Sequence, residues 1–91
     1  MRNYDEYAYI TSNTTTQVKN GPGTLKRLVI NTPVASSTIS LIDGRSGTTA
    51  NIGIITNTTD VKPYVLEFNL RFAQGLRIVT SGDDDITVVF E

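Results

Sequence analysis

The stretch from residue 64 to residue 72 alternates large apolar side chains with other residues. Its sequence is YVLEFNLRF, in which every second position from residue 66 carries Leu66, Phe68, Leu70 or Phe72. A period of two residues places these four side chains on one face of a β-strand, whereas a helix would distribute them around its circumference. The stretch therefore predicts a strand that buries one face.

The rest of the chain also consists of short extended segments, separated by turn residues at roughly ten-residue spacing, which is typical of a sandwich or barrel. The 91 residues include 14 Thr, 9 Ile and 8 Val, and β-branched side chains favour a pleated sheet. The sequence predicts an all-β fold: a single small β-sandwich or jelly-roll-like barrel of about 6–8 antiparallel strands. The predicted strands span residues 7–11, 15–19, 24–31, 37–43, 51–56, 64–72, 76–80 and 86–90.

The alternation within these strands also predicts which side chains face inward. The predicted inward set is Leu28, Ile30, Ile39, Leu41, Leu66, Phe68, Leu70, Leu76, Ile78, Ile86 and Val88. Between residues 72 and 76 we expect a tight hairpin, with Gly75 in the left-handed conformation that glycine adopts most readily.

Residues 1–14 differ from the β-sandwich domain predicted for residues 15–91. They contain three of the four tyrosines and show no strong alternation. They are expected to form either an N-terminal arm that orders against a neighbour or an edge strand. For an arm, deletion of residues 2–12 would leave a folded β-domain.

The composition argues against several classes of function. Histidine and cysteine are absent, which removes the usual nucleophilic triads and nearly all zinc sites. The net charge is −1 and the basic residues are dispersed, unlike the clustered Lys and Arg of a nucleic-acid-binding surface. No run approaches the roughly 20 apolar residues of a membrane span. We expect a protein with no enzymatic activity, cofactor, metal, nucleic acid or membrane partner.

The sharpest charge cluster is Asp83-Asp84-Asp85. Three carboxylates in a turn could bind Ca²⁺, which takes oxygen ligands. The alternative is a solvated hairpin turn, since Asp is a favoured turn residue and consecutive side chains do not converge on one point. The second interpretation is preferred.

The N-terminal segment carries the candidate partner-binding residues Tyr4, Tyr7, Tyr9 and Ile10. Tyrosine offers a large contact area at low entropic cost, which suits an interface. Two other interpretations stay open: an ordinary edge strand with half-exposed tyrosines, and a platform on which sugars stack.

Several segments match a pattern in order along the chain: VKNGPGTLKRLVINTP at residues 18–33, TISLID at 38–43, Pro63-Tyr64, FAQGLRIVT at 72–80 and DITVVF at 85–90. Over residues 15–91 the chain resembles small all-β structural proteins of tailed bacteriophages. The shared features are a Gly-Pro-Gly turn, an Asn-Thr-Pro strand end, a Gly-Leu hairpin and a terminal Ile-Thr-Val strand.

This resemblance implies a virion component that assembles in the host cytoplasm, displayed on the capsid as a decoration or cement protein. It implies binding to the major capsid protein or another virion protein, and self-association with a trimer favoured. A carbohydrate-binding or fibre and tail adhesion module on the particle is the alternative. The resemblance carries no catalytic residues.

Overall fold

The computed structural model describes residues 5–59 and 62–91, which contain eight β-strands and no helix. The strands are β1 (Glu6–Ile10), β2 (Thr15–Asn20), β3 (Gly23–Thr32), β4 (Thr38–Asp43), β5 (Gly53–Thr56), β6 (Tyr64–Phe72), β7 (Gly75–Thr80) and β8 (Asp85–Phe90). The predicted all-β class is confirmed, and each predicted strand is present within two residues of its expected bounds. Among the described residues, no helix is long and apolar enough to cross a membrane.

The strands form two four-stranded antiparallel sheets, sheet A in the order β1-β8-β3-β6 and sheet B in the order β2-β7-β4-β5. The strands pair from the two ends of the chain inward: β1 with β8, β2 with β7, β3 with β6, and β4 with β5. The chain is thus one long antiparallel ribbon rolled into two layers, closed by pairing of β3 with β8 and β4 with β7. This is the order of a jelly roll.

The hydrophobic core lies between the two sheets. Eight of the predicted inward residues are fully buried, and Leu66 and Phe68 are half-buried against them. The prediction for Leu70 is wrong, because its side chain remains 39% exposed. It lies on the edge strand β6, which has a neighbour on one side only, beside Asn69 with its left-handed φ of 51°. Leu25 and Ile42 are buried residues that the prediction missed.

The predicted hairpin between β6 and β7 is also wrong. The two strands belong to different sheets, so the connection crosses from one layer to the other. Gly75 has no left-handed φ. Glycine is required there for another reason: a Cβ would lie 2.7 Å from the Lys19 carbonyl oxygen and 3.0 Å from that of Gly44.

Asp43 holds this crossing in place. Its carboxylate accepts hydrogen bonds from the backbone N–H of Ala73 at 3.0 Å and of Gln74 at 2.8 Å. These bonds, led by that from Ala73, lower the pKa of Asp43 because they favour the charged carboxylate. A side chain at the end of β4 in sheet B thereby fixes the loop that leaves sheet A.

Candidate functional site

The structure separates the residues that the sequence grouped as partner-binding. Residues 6–10 form an edge strand of sheet A that pairs with β8 along its whole length. Successive side chains of a strand point to opposite faces, so Tyr7 and Tyr9 face outward and are 74% and 59% exposed. Ile10 points into the core and is 4% exposed. Tyr4 lies outside the described residues.

The register of sheet A extends the tyrosines into two rows across its outer face. Because paired residues share a face, each row contains one residue from β1, β8, β3 and β6. The first row is Tyr9, Thr87, Val29 and Val65, and the second row is Tyr7, Val89, Arg27 and Glu67. We call these eight residues the outer A face. Val65 is 52% exposed, so both ends of the first row present apolar or aromatic surface.

Hydrogen bonds hold the Tyr9 end of this face. The Tyr9 hydroxyl donates to Asp85 Oδ2 at 2.7 Å, while Asn31 Nδ2 donates to Asp85 Oδ1 at 3.2 Å and to Thr87 Oγ1 at 3.1 Å. The hydrogen bond to Asp85 is the main reason why the pKa of Tyr9 is raised. The phenol ring is therefore oriented before any partner arrives, which reduces the entropic cost of binding.

Charges on and around the outer A face are segregated. The β1–β8 half carries Asp85 and Glu91, and exposed Asp5 immediately precedes β1. The β3–β6 half carries Lys26, Arg27 and Arg71 together with Glu67. Arg27 Nε lies 3.1 Å from Glu67 Oε2, and Lys26 Nζ lies 3.7 Å from Glu91 Oε2. The face is acidic on one half and mainly basic on the other.

A second polar cluster is buried at one end of the sandwich, and the sequence did not reveal it. Asp84 has no exposed surface, in contrast to the solvated turn that was expected. It accepts hydrogen bonds from Val34 N–H at 2.6 Å, Ser37 Oγ at 2.8 Å and Asn57 Nδ2 at 3.1 Å. The Tyr64 hydroxyl donates to Asn57 Oδ1. Burial, and next the charge of Asp84, raise the pKa of Tyr64.

These hydrogen bonds give the buried cluster a structural role. Asp84 precedes β8, Ser37 precedes β4 and Asn57 follows β5, so the cluster ties together three connections that cross one end of the sandwich. Every buried polar side-chain atom in the described part of the chain has a hydrogen-bond partner. The Asp-rich turn is the sequence feature that pointed to this cluster. The residues that neighbour Ser37 and Asn57 in the sequence give no sign that these two side chains are buried.

The three consecutive aspartates diverge. Asp83 Oδ1 accepts the Asn13 backbone N–H at 2.8 Å, Asp84 points into the interior and Asp85 binds Tyr9 on the outer A face. No group of three or more acidic side chains within residues 5–59 and 62–91 is arranged to hold a metal ion.

A pocket of about 350 Å³ opens between the edge strands β5 and β6. Its walls are mainly apolar, and its lining includes Pro33, Ile55, Pro63, Tyr64 and Leu66. Two of its polar lining residues, Asn57 and Tyr64, are hydrogen-bonded to each other. Ile55, Tyr64 and Leu66 also pack against the hydrophobic core. The pocket is therefore the place where the core opens to the surface between β5 and β6.

Comparison with known proteins adds no assignment: no protein-family model, no curated protein and no solved structure matches the chain.

Proposed function

We propose that this chain is a non-enzymatic structural protein of a tailed-bacteriophage virion, a capsid decoration or cement protein that binds the major capsid protein and itself. The observation that carries the proposal is the outer A face, a sheet surface that offers exposed Tyr7, exposed Val65 and Tyr9, whose ring is oriented by its hydrogen bond to Asp85. The assignment to a phage particle comes from the resemblance of residues 15–91 to phage structural proteins. The same resemblance favours a trimer as the self-associated state.

A surface of this kind suits adhesion between proteins. Tyrosine is enriched at the centres of interfaces, because its ring contributes apolar area and its hydroxyl contributes a hydrogen bond. Jelly rolls occur in viral capsids and in lectins. This is an analogy at the level of fold and does not by itself assign a function.

The test is to find the chain on particles. Particles are isolated on a density gradient from cells that express the chain in its native genomic context, and the banded proteins are quantified by mass spectrometry. We expect the chain to band with the capsid protein in a constant ratio. Recovery of the chain only in the soluble fraction, while intact particles form, would refute the proposal.

Paired variants locate the surface that attaches. Tyr7→Ser combined with Tyr9→Ser should lower the particle-bound fraction at least about tenfold, since tyrosine anchors often dominate binding. The matched control is Ile54→Ser, because Ile54 is 61% exposed but lies on β5 in sheet B. Equal particle-bound fractions for the two variants would show that the chain attaches through a surface other than the outer A face.

The alternative is a carbohydrate-binding or adhesion module of a fibre or tail. A specific observation favours it: Tyr9 is surrounded by Asp85, Asn31 and Thr87, which provide the acceptors and donors that sugar hydroxyls need. Binding on a glycan array that the tyrosine substitutions abolish, without any particle association, would select this alternative.

A further inference from the structure

We infer that the outer A face binds the same face of a second copy of this chain, about a two-fold axis parallel to the strands. This pairing rests on the proposed function, because it assigns a partner to the same protein-binding face. The resemblance favours a trimer, whereas the surface of this chain favours a dimer.

The segregated charges identify the axis. A two-fold axis that runs parallel to the strands, between β8 and β3, turns each copy so that its β1–β8 half covers the β3–β6 half of the other. Asp5 and Glu91 of the acidic half then face the end of the basic half that carries Lys26 and Arg71. Complementarity of this kind occurs twice in an isologous dimer, once on each side of the axis.

The rows of the outer A face also match across this axis. Rotation about an axis parallel to the strands keeps each row opposite the same row of the second copy, with its order reversed. Tyr9 then covers Val65, and Thr87 covers Val29. In the other row Tyr7 lies over Glu67, where its hydroxyl can donate to the carboxylate. Val89 covers the aliphatic part of Arg27, so the best-matched contacts are those of Tyr9 with Val65 and of Tyr7 with Glu67.

One ion pair in this arrangement can form only between copies. Arg71 pairs with Thr24, which exchanges two backbone hydrogen bonds of 2.9 Å with Glu91. Asp5 precedes Glu6, the partner of Phe90, so Asp5 lies at the β1 end of this same row. Neither Asp5 nor Arg71 has an ion-pair partner among residues 5–59 and 62–91. The axis places Asp5 of each copy opposite Arg71 of the other.

Other arrangements fit this surface less well. An axis perpendicular to the strands would lay the acidic β1–β8 half on itself, and like charges that face each other oppose binding. A trimer would need a heterologous contact between two different surfaces. Stacked sheets keep their strand directions within about 30° of each other. Both in-plane axes satisfy this condition, so the charges decide between them.

The test exchanges charges at the predicted pair. The full-length chain is analysed by sedimentation velocity up to about 100 μM, a range in which an interface of standard size forms. We expect a dimer for the wild type. Arg71→Asp alone and Asp5→Arg alone should each weaken dimerisation at least about tenfold, because both copies then carry a repulsive pair. The double variant should recover the wild-type dissociation constant within about threefold.

Rescue by the double variant cannot arise within one chain. Asp5 immediately precedes β1 and Arg71 lies on β6. These are the two outermost strands of sheet A, separated by three strand spacings or roughly 14 Å. Arg45→Glu is the matched control, because Arg45 is exposed in the connection between β4 and β5 of sheet B. It should leave dimerisation unchanged.

The outcomes separate this inference from the proposed function. A monomer at all concentrations, a trimer, or a dimer in which the double variant is not rescued would overturn the inference. If such a chain still bands with particles in a tyrosine-dependent manner, the proposed function stands. A dimer that shows the expected rescue but never bands with particles would support the inference and refute the virion role.

Discussion

The carboxylate of Asp84 and the hydroxyl of Ser37 lie 2.8 Å apart in the interior of the sandwich, although 47 positions separate them in the chain. Ser37 also accepts a hydrogen bond from Asn57 Nδ2 at 2.9 Å. A buried carboxylate is costly unless several donors surround it. Here the donors come from two other connections of the chain, so the end of the sandwich forms only when all of them are in place.

Replacement of Asp84 by alanine should destabilise the fold by about 3 kcal/mol or more. The substitution leaves Val34 N–H without its acceptor and removes the charged acceptor of Ser37 Oγ and Asn57 Nδ2, which keep only neutral partners. An unsatisfied buried group costs roughly 1–3 kcal/mol, and a hydrogen bond to a charged group contributes roughly 1.5–3 kcal/mol. Urea unfolding measures the change. The control is Asp83→Ala in the neighbouring position, which is exposed and should cost less than about 1 kcal/mol. Equal losses for the two variants would contradict the buried network.

Tyr64→Phe should lower stability at neutral pH by about 1 kcal/mol, because Asn57 Oδ1 loses its donor. Since the pKa of Tyr64 is raised in the folded state, the folded protein holds this proton more firmly than the unfolded chain does. Wild-type stability should therefore fall as the pH rises through the usual tyrosine pKa of about 10.

The difference between wild type and Tyr64→Phe should accordingly shrink in alkaline solution. Chemical denaturation at a series of pH values measures it. Tyr7→Phe is the matched control, because the exposed Tyr7 ring has no hydrogen bond to lose in the described structure. A constant difference between wild type and Tyr64→Phe from neutral to alkaline pH would rule out this role for Tyr64.

Ser36→Gly should stabilise the protein by about 0.5–1 kcal/mol. Ser37 N–H donates to Val34 O at 3.2 Å, and Ser36 has a φ of 63°. These features define a type II turn, in which the third residue favours glycine because side chains are strained at positive φ. Thermal unfolding measures the gain. Ala35→Gly, at the preceding position with negative φ, should instead be neutral or slightly destabilising.

The strands could be predicted because their alternation is a local property of the chain. A period of two residues is visible in any short window, as in residues 64–72. The sheet to which a strand belongs is not a local property. The sequence of β6 and β7 predicts a hairpin, yet the two strands lie in different sheets. The burial of Asp84 was missed for the same reason, since its donors Ser37 and Asn57 are distant in sequence.

The candidate site was partly predictable. The sequence identified Tyr7 and Tyr9 as candidates, and the structure places both on one face and leaves them exposed. The matching positions Val29 and Val65 could not be identified, because they come from strands that only the register brings beside β1 and β8. Ile10 was grouped with the tyrosines, whereas the β-strand in the structure directs it inward.

The register of β1 reverses the expected result of deleting residues 2–12. The deletion removes all of β1, including the buried Ile10 and five paired positions with β8. Loss of one buried isoleucine side chain alone costs roughly 2–5 kcal/mol. We now expect the truncated chain to lose its cooperative unfolding transition by circular dichroism. A truncated chain that unfolds like the wild type would show that β1 is a dispensable arm.

Three substitutions along β6 test how far its inner face is covered. Phe72→Ala should cost about 3–5 kcal/mol, because the Phe72 ring is buried against Gly23, where a Cβ would come within 2.8 Å of it. Phe68→Ala should cost about 2 kcal/mol, since its side chain is only half-buried. Leu70→Ala should cost less than about 1 kcal/mol, although its spacing places it on the same face. Urea unfolding of the three variants measures this order. A Leu70 loss as large as that of Phe72 would mean that the edge of sheet A is covered at this point.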